Sequence, residues 1–202
     1  MEGINLIHGD SLQALKGYAD NHFDIAIVDP PYGIGISSNP LRQKFEKCEW
    51  DNEIPNKQYL EELMRVSENQ IIWGGNYMIE FLKPTPCFIV WDKVQPENFS
   101  MAMAEFAWTS FTSPAKIFKK RVVGADTKRI HPTQKPVDLY KWLLTYYTNE
   151  NDLILDTHLG SGSIAIACHY MKRNLIGYEI DKEYYDAACK RFKEQTMQQV
   201  LW

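Results

Sequence analysis

The segment Leu153-Ile-Leu-Asp156-Thr-His158-Leu-Gly160-Ser-Gly162-Ser-Ile-Ala165 decides the fold. A short apolar run ends in an acid, passes two glycines separated by one serine, and enters an apolar stretch of helical character. This is the pattern of a buried strand, a tight turn and a helix start. Glycine permits the sharp turn and lets backbone approach a ligand closely. The next apolar run, Leu175–Tyr178, ends in Glu179, nineteen residues after Gly160. An acid at the end of that second strand suits ribose hydroxyls, so the unit reads as a nucleoside-binding βαβ element. Gly160-x-Gly162-x-x-Ala165 also fits the relaxed dinucleotide fingerprint of a nicotinamide-dependent oxidoreductase, a pattern of low specificity alone. Asp156 argues against that reading, because its carboxylate repels a pyrophosphate and favours a cationic group on the ligand.

Outward from this unit, apolar runs bounded by turn residues alternate with helix-like segments. Strands are predicted at Ile4–Ile7, Phe23–Val28, Gln70–Trp73, Cys87–Trp91, Glu105–Phe111, Ala115–Phe118, Asp152–Leu155 and Asn174–Tyr178. Helices are predicted at Lys57–Ser67, Pro136–Tyr147, Gly162–Met171 and Lys182–Glu194. Pro136 suits a first helical position, where an N–H would have no partner. The alternation predicts an α/β fold with a mostly parallel sheet and helices on both faces, its ligand sites beyond the C-terminal strand ends.

With 202 residues, 45% of them apolar, the chain is sized for a single domain with a proper core (1–202). The net charge of −4 supplies no global field for a polyanion. Any nucleic-acid contact must be local, and Lys116, Lys119, Lys120, Arg121, Lys128 and Arg129, set against the single acid Asp126, form the strongest cationic cluster. The cysteines Cys48, Cys87, Cys168 and Cys189 form no C-x-x-C pair. A metal site is therefore not expected, and free thiols fit a reducing cytoplasm. Neither a signal peptide nor a bilayer-spanning run is present, so no membrane partner is expected. Gly33–Ile54 reads as a long loop that carries Phe45 and Trp50.

The second informative stretch is Phe23-Asp-Ile-Ala-Ile-Val-Asp29-Pro30-Pro31-Tyr32. An apolar strand delivers two prolines, which stiffen the loop and leave carbonyls without regular partners. The Asp29 carboxylate and the Pro30 carbonyl then stand as fixed acceptors beside the Tyr32 ring. That set complements an aromatic amine, which offers two N–H donors and a plane to stack at about 1–3 kcal/mol per base. Such amines are poor nucleophiles, because their lone pair is delocalised. Acceptors on the NH₂ favour a pyramidal nitrogen and stabilise the positive charge that develops during alkylation. By average residue usage the tetrapeptide arises by chance in roughly 1 chain in 100 or fewer.

Together with His131-Pro-Thr133-Gln-Lys135-Pro136, these motifs resemble the beta-class amino-methyltransferases of DNA, in which the catalytic tetrapeptide precedes the glycine turn. The resemblance spans nearly the whole chain. It implies a Rossmann-like methyltransferase fold with circularly permuted motifs, S-adenosylmethionine as cofactor, and direct methyl transfer to a base swung out of DNA. Asp29, Pro30, Pro31 and Tyr32 would hold that base. Asp156, Gly160 and Gly162 would line the cofactor, Glu179 its ribose, Thr133 and Lys135 its methionine end, and Asp10 its adenine. Trp73-Gly-Gly-Asn76 and Trp91-Asp-Lys93 would wall the pocket, and Gly33–Ile54 would close over the base. His158 stands where the family usually has an aromatic. Asp rather than Ser at the head of the tetrapeptide favours adenine N6 over cytosine N4. RNA, a protein amide, or a non-catalytic DNA-binding role are the other readings. In place of a sizeable recognition domain there is only the basic segment 116–129, expected to meet DNA phosphates, and a homodimer is a further expectation.

Overall fold

The computed structural model describes residues 3–35, 54–96, 98, 102–121 and 129–197. Within them lies an eight-stranded sheet. The strands are β1 (Ile4–His8), β2 (Phe23–Val28), β3 (Ser67–Trp73), β4 (Phe88–Asp92), β5 (Ala104–Thr109), β6 (Lys116–Lys119), β7 (Leu153–Asp156) and β8 (Asn174–Glu179). The helices are α1 (Ser11–Leu15), α2 (Lys57–Val66), α3 (Val137–Tyr147), α4 (Ser163–Met171) and α5 (Lys182–Met197). The spatial order is β1-β8-β7-β2-β3-β5-β4-β6. Every neighbouring pair is parallel except β3 with β5 and β4 with β5. The reversed strand β5 is the departure from a wholly parallel sheet.

Alternate side chains of the central strands enter two separate cores. Ile25, Ile27, Ile71, Trp73 and Ile154 face α3, α4 and α5, where they meet Leu139, Leu143, Ile164, Ile166 and Phe192. Phe23, Ala26, Val28, Ile72 and Leu155 face α1 and α2, where they meet Leu15, Tyr59, Leu60, Leu63 and Val66. Burial on both faces explains why these strands read as continuous apolar runs rather than as alternating ones. α2 begins at Asn56, whose side chain accepts from the Tyr59 N–H at 2.9 Å.

From β7 the chain turns through α4 to β8 on one side. From β2 it passes through α2 to β3 on the other side. The boundary between β7 and β2 is thus the point where strand order reverses, which is where such sheets bind ligands. The glycine turn there is held from behind by Arg191 of α5. Its buried guanidinium donates to the Ser161 carbonyl at 2.8 Å and to Ser163 Oγ at 2.9 Å. Gly162, at φ +70°, starts α4, and a side chain there would press on Ala188.

Replacing Arg191 by Met keeps the bulk and removes these donors. Leaving a buried carbonyl unsatisfied costs roughly 1–3 kcal/mol. Urea unfolding of the Arg191→Met variant is expected to show a loss of that size, and unchanged stability would contradict the clamp.

Candidate active site

At the C-terminal edge of the sheet, one cavity of about 520 Å³ opens across the β7/β2 boundary. It is of the size usual for small-molecule sites, which run from about 300 to 1,000 Å³. Asp29, Pro30, Pro31 and Tyr32 line it from the end of β2, and His158, Gly160, Ser161 and Glu179 line it from the ends of β7 and β8. Thr133 and Lys135 line it from the segment before α3, and Gly74 and Asn76 from the turn after β3. The tetrapeptide and the ribose-type acid therefore share one space. Asp10, Asp156 and Gly162 are not part of that lining. Asp156 is buried behind it, and Asp10 is exposed and caps α1 by accepting from the Leu12 N–H at 2.9 Å.

The tetrapeptide is tied down by hydrogen bonds. Tyr32 donates its hydroxyl to Asp29 Oδ1 at 2.6 Å, and Lys135 Nζ lies 2.5 Å from Asp29 Oδ2 and 3.2 Å from the Tyr32 oxygen. Burial, and then the Asp29 charge, push the Tyr32 phenol far up, so it remains a donor. The Tyr32 ring packs against Gly74, whose φ of +67° and missing side chain leave room for it. Its other neighbour is Tyr77, stacked at a centroid distance of 5.4 Å and an interplanar angle of 20°. The lysine expected at a methionine carboxylate thus spends its donors on the tetrapeptide, and it has a further partner. Glu105 Oε2, on the reversed strand, lies 3.2 Å from Lys135 Nζ, while Glu105 Oε1 lies 2.6 Å from Lys93 Nζ. Burial pushes the Asp29 carboxyl up and Lys135 pulls it back, with Glu105 adding to the rise. Burial would lower Lys135, but Asp29 and Glu105 outweigh it and hold the ammonium protonated. Burial would raise Glu105, yet Lys135 and Lys93 bring its carboxyl down to about 2.

The cofactor side has a different character. Glu179 Oε2 accepts from the Gly160 N–H at 2.7 Å and Oε1 from the Asp181 N–H at 3.0 Å, which fixes the carboxylate at the cavity wall. Lone pairs remain for ribose hydroxyls. Burial lowers the His158 imidazole to about 4, so at neutral pH it is an uncharged aromatic plate. Its Nδ1 lies 2.9 Å from Thr157 Oγ1, which Tyr59 OH meets at 2.6 Å. A fixed acid, a neutral aromatic and the close turn at Gly160 fit a nucleoside bearing a positive charge. Among the described residues, no group of three or more His, Cys, Asp or Glu side chains is placed to hold a metal. No helix of the described residues is long and apolar enough to cross a membrane.

The basic cluster lies away from this cavity. Lys116, Lys119, Lys120 and Arg121 sit on or just after β6, the edge strand. Lys120 pairs with Asp138, Lys119 Nζ is 3.9 Å from Asp92, and Lys116 Nζ lies 5.0 Å over the Tyr146 ring. Arg121 and Arg129 are exposed, and Lys128 falls outside the described residues. So do Phe45, Trp50 and most of the stretch expected to cover the base. The sequence reading missed Glu105, whose only local signal is an acid on the same strand face as buried Ala107 and Thr109.

The geometry sets a fixed carboxylate and an uncharged imidazole across one cavity from the Asp29–Tyr32 tetrapeptide. The N6/N4 DNA methylase family model matches residues 72–190, and the chain belongs to that family, whose cofactor is S-adenosylmethionine. The type II methyltransferase M2.MboI of Moraxella bovis is 27% identical, over 96% of this chain and 89% of its own. The crystal structure of the M1.HpyAVI complex with S-adenosylmethionine is 25% identical and superposes with a TM-score of 0.61, over 93% of this chain and 98% of that one. The cytosine-N4-specific PvuII DNA methyltransferase, 13% identical, shares the fold with a TM-score of 0.68 over 98% of this chain and 91% of its own.

Asp156 gives the site a pH signature. Burial first, and then Asp29 and Glu179, push its carboxyl from 3.8 to about 8, against one hydrogen bond from the His158 N–H. The folded protein thus keeps a proton that the unfolded chain releases above pH 3.8. The stability contributed by that proton is complete below about pH 4 and is lost as pH rises through about 8. Asp156→Asn removes this loss. In urea unfolding its advantage over the parent is expected to grow from about pH 5 to about pH 8.5, and a difference that does not change with pH would contradict the assignment.

Proposed function

We propose that this protein methylates the exocyclic N6 amine of adenine in DNA, with S-adenosylmethionine as methyl donor. The observation that carries the reading is the single cavity onto which both Tyr32 and Glu179 open. When bound, the cofactor supplies an electrophilic methyl group on a sulfonium. Glu179 would hold its ribose, with Gly160 and His158 against the nucleoside. Thr133 lines the same wall, and the Asp156 carboxyl is buried behind it.

The chain's own part in the reaction is positioning and electrostatics. A base swung out of the duplex enters between Tyr32 and the tetrapeptide backbone. Its amine donates to the Asp29 carboxylate and the Pro30 carbonyl, and the amine lone pair is left to face the methyl group. As the nitrogen–carbon bond forms and the carbon–sulfur bond breaks, positive charge grows on the amine beside Asp29, where a preorganised anion helps most, and one N–H proton would then leave by way of that carboxylate to solvent. To accept from the amine, Asp29 must share the oxygen now bonded to Tyr32, or Tyr32 must release it and stack on the base. The exposed Arg121 and Arg129, together with Lys116, Lys119 and Lys120, lie outside the cavity lining and would meet phosphates further along the duplex. Such contacts weaken steeply with salt. The aspartate at the head of the tetrapeptide favours adenine over the cytosine N4 amine.

Incubation of unmethylated genomic DNA with the protein and S-adenosylmethionine, followed by nucleoside mass spectrometry, is expected to yield N6-methyladenine. N4-methylcytosine in its place would reassign the base, and neither product would overturn the reading. Asp29→Ala is expected to lower the rate by 10²-fold or more, with cofactor binding by calorimetry preserved.

A further inference from the structure

At the base grip, four charges alternate in sign: the buried Lys93, the partly exposed Glu105, the buried Lys135 and the partly exposed Asp29. The contacts between successive members are 2.6, 3.2 and 2.5 Å. Lys93 comes from the end of β4, Glu105 from β5, Lys135 from the segment before α3, and Asp29 from the end of β2. All four line the cavity. Two positive and two negative groups cancel, so the grip carries no net charge before a substrate arrives. Without Glu105, the same place would hold two ammonium groups against one carboxylate.

We propose that Glu105 is a positioning residue for methyl transfer: by taking a second ion pair from Lys135, it leaves Asp29 as an effective anion toward the target amine. The inference rests on the function proposed above and extends it to a residue that touches neither the amine nor the cofactor. The physical argument is a charge balance. The amine is neutral when it binds and becomes cationic as nitrogen attacks the methyl carbon and the sulfur recovers the bonding electron pair. A surplus ammonium beside Asp29 opposes that change far more than it opposes binding of the neutral base. Its effect therefore appears in kcat and not in the KM for DNA. The surplus charge also disfavours a sulfonium in the same cavity relative to the neutral thioether left after transfer.

The test uses two variants of the whole chain. Glu105→Gln preserves shape and removes one negative charge. Adding Lys93→Met then removes one positive charge and restores neutrality. For Glu105→Gln, kcat is expected to fall roughly 10- to 100-fold with the KM for DNA unchanged. The ratio of calorimetric affinities for S-adenosylmethionine and S-adenosylhomocysteine is expected to fall in the same variant. The double variant is expected to recover much of both losses, and Glu105→Asp to retain most of the activity. A purely structural role for Glu105 predicts the opposite, because removing two partners from the core damages it more than removing one. A double variant no better than Glu105→Gln in either readout would overturn the proposal. The affinity ratio needs no DNA, so it tests the charge argument even if the acceptor proves to be something other than an amine of DNA.

Discussion

The site depends on the parallel pairing of β2 with β7. Ile25 lies against Ile154 and Ala26 against Leu155, so the two strands run out at nearly the same level. β8 continues that alignment, with Asp156 opposite Gly177 and, one strand further, His8 opposite Glu179. Asp29 and Glu179 are far apart in the chain, yet this register brings them to one edge of one sheet. The connections diverge from there, α4 to one side and α2 to the other. A slip of one residue would exchange the core-facing sets of β2, placing Ala26 and Val28 where Ile25 and Ile27 belong. The two closely packed cores thus fix the site geometry from below.

The same edge concentrates what a protein interior usually avoids. Lys135, Lys93, Glu105, Asp156 and Glu179 are all less than one-tenth exposed or confined to the cavity wall. Breaking a buried ion pair by removing one partner costs far more than the intact pair contributes, so the alternating chain of charges stands or falls together. Asp156, held well above its ordinary carboxyl range, is a stability cost that a cationic ligand would relieve. This is the pattern of a site tuned for a ligand at the expense of the free fold.

Much of the fold was legible locally. β2 was predicted to the residue, because both faces are buried and the apolar run has sharp ends. β3 begins earlier than expected. Its polar start, Ser67 to Gln70, satisfies itself through Gln70 Nε2 to the Ser67 carbonyl and Ser67 Oγ to the Leu63 carbonyl. α1 escaped notice as a helix of five residues, though Asp10 was visible as a polar residue ahead of Leu12 and Leu15. Asp10 was assigned to the cofactor, and its observed bond is to the helix start. The direction of β5 was not legible, since an apolar run carries no sign of its partner's orientation. Both site motifs were readable from composition and spacing. The link from Lys135 through Glu105 to Lys93 was not, because it joins three distant segments and leaves only an isolated acid in a buried strand as its local trace.

The most direct test of the shared-cavity account is a crystal structure with S-adenosylmethionine bound. The account predicts ribose hydroxyls within hydrogen-bonding distance of Glu179 and a sulfonium methyl that faces the space between Asp29, Pro30 and Tyr32. A cofactor whose ribose lies away from Glu179, or whose methyl points away from the tetrapeptide, would contradict it.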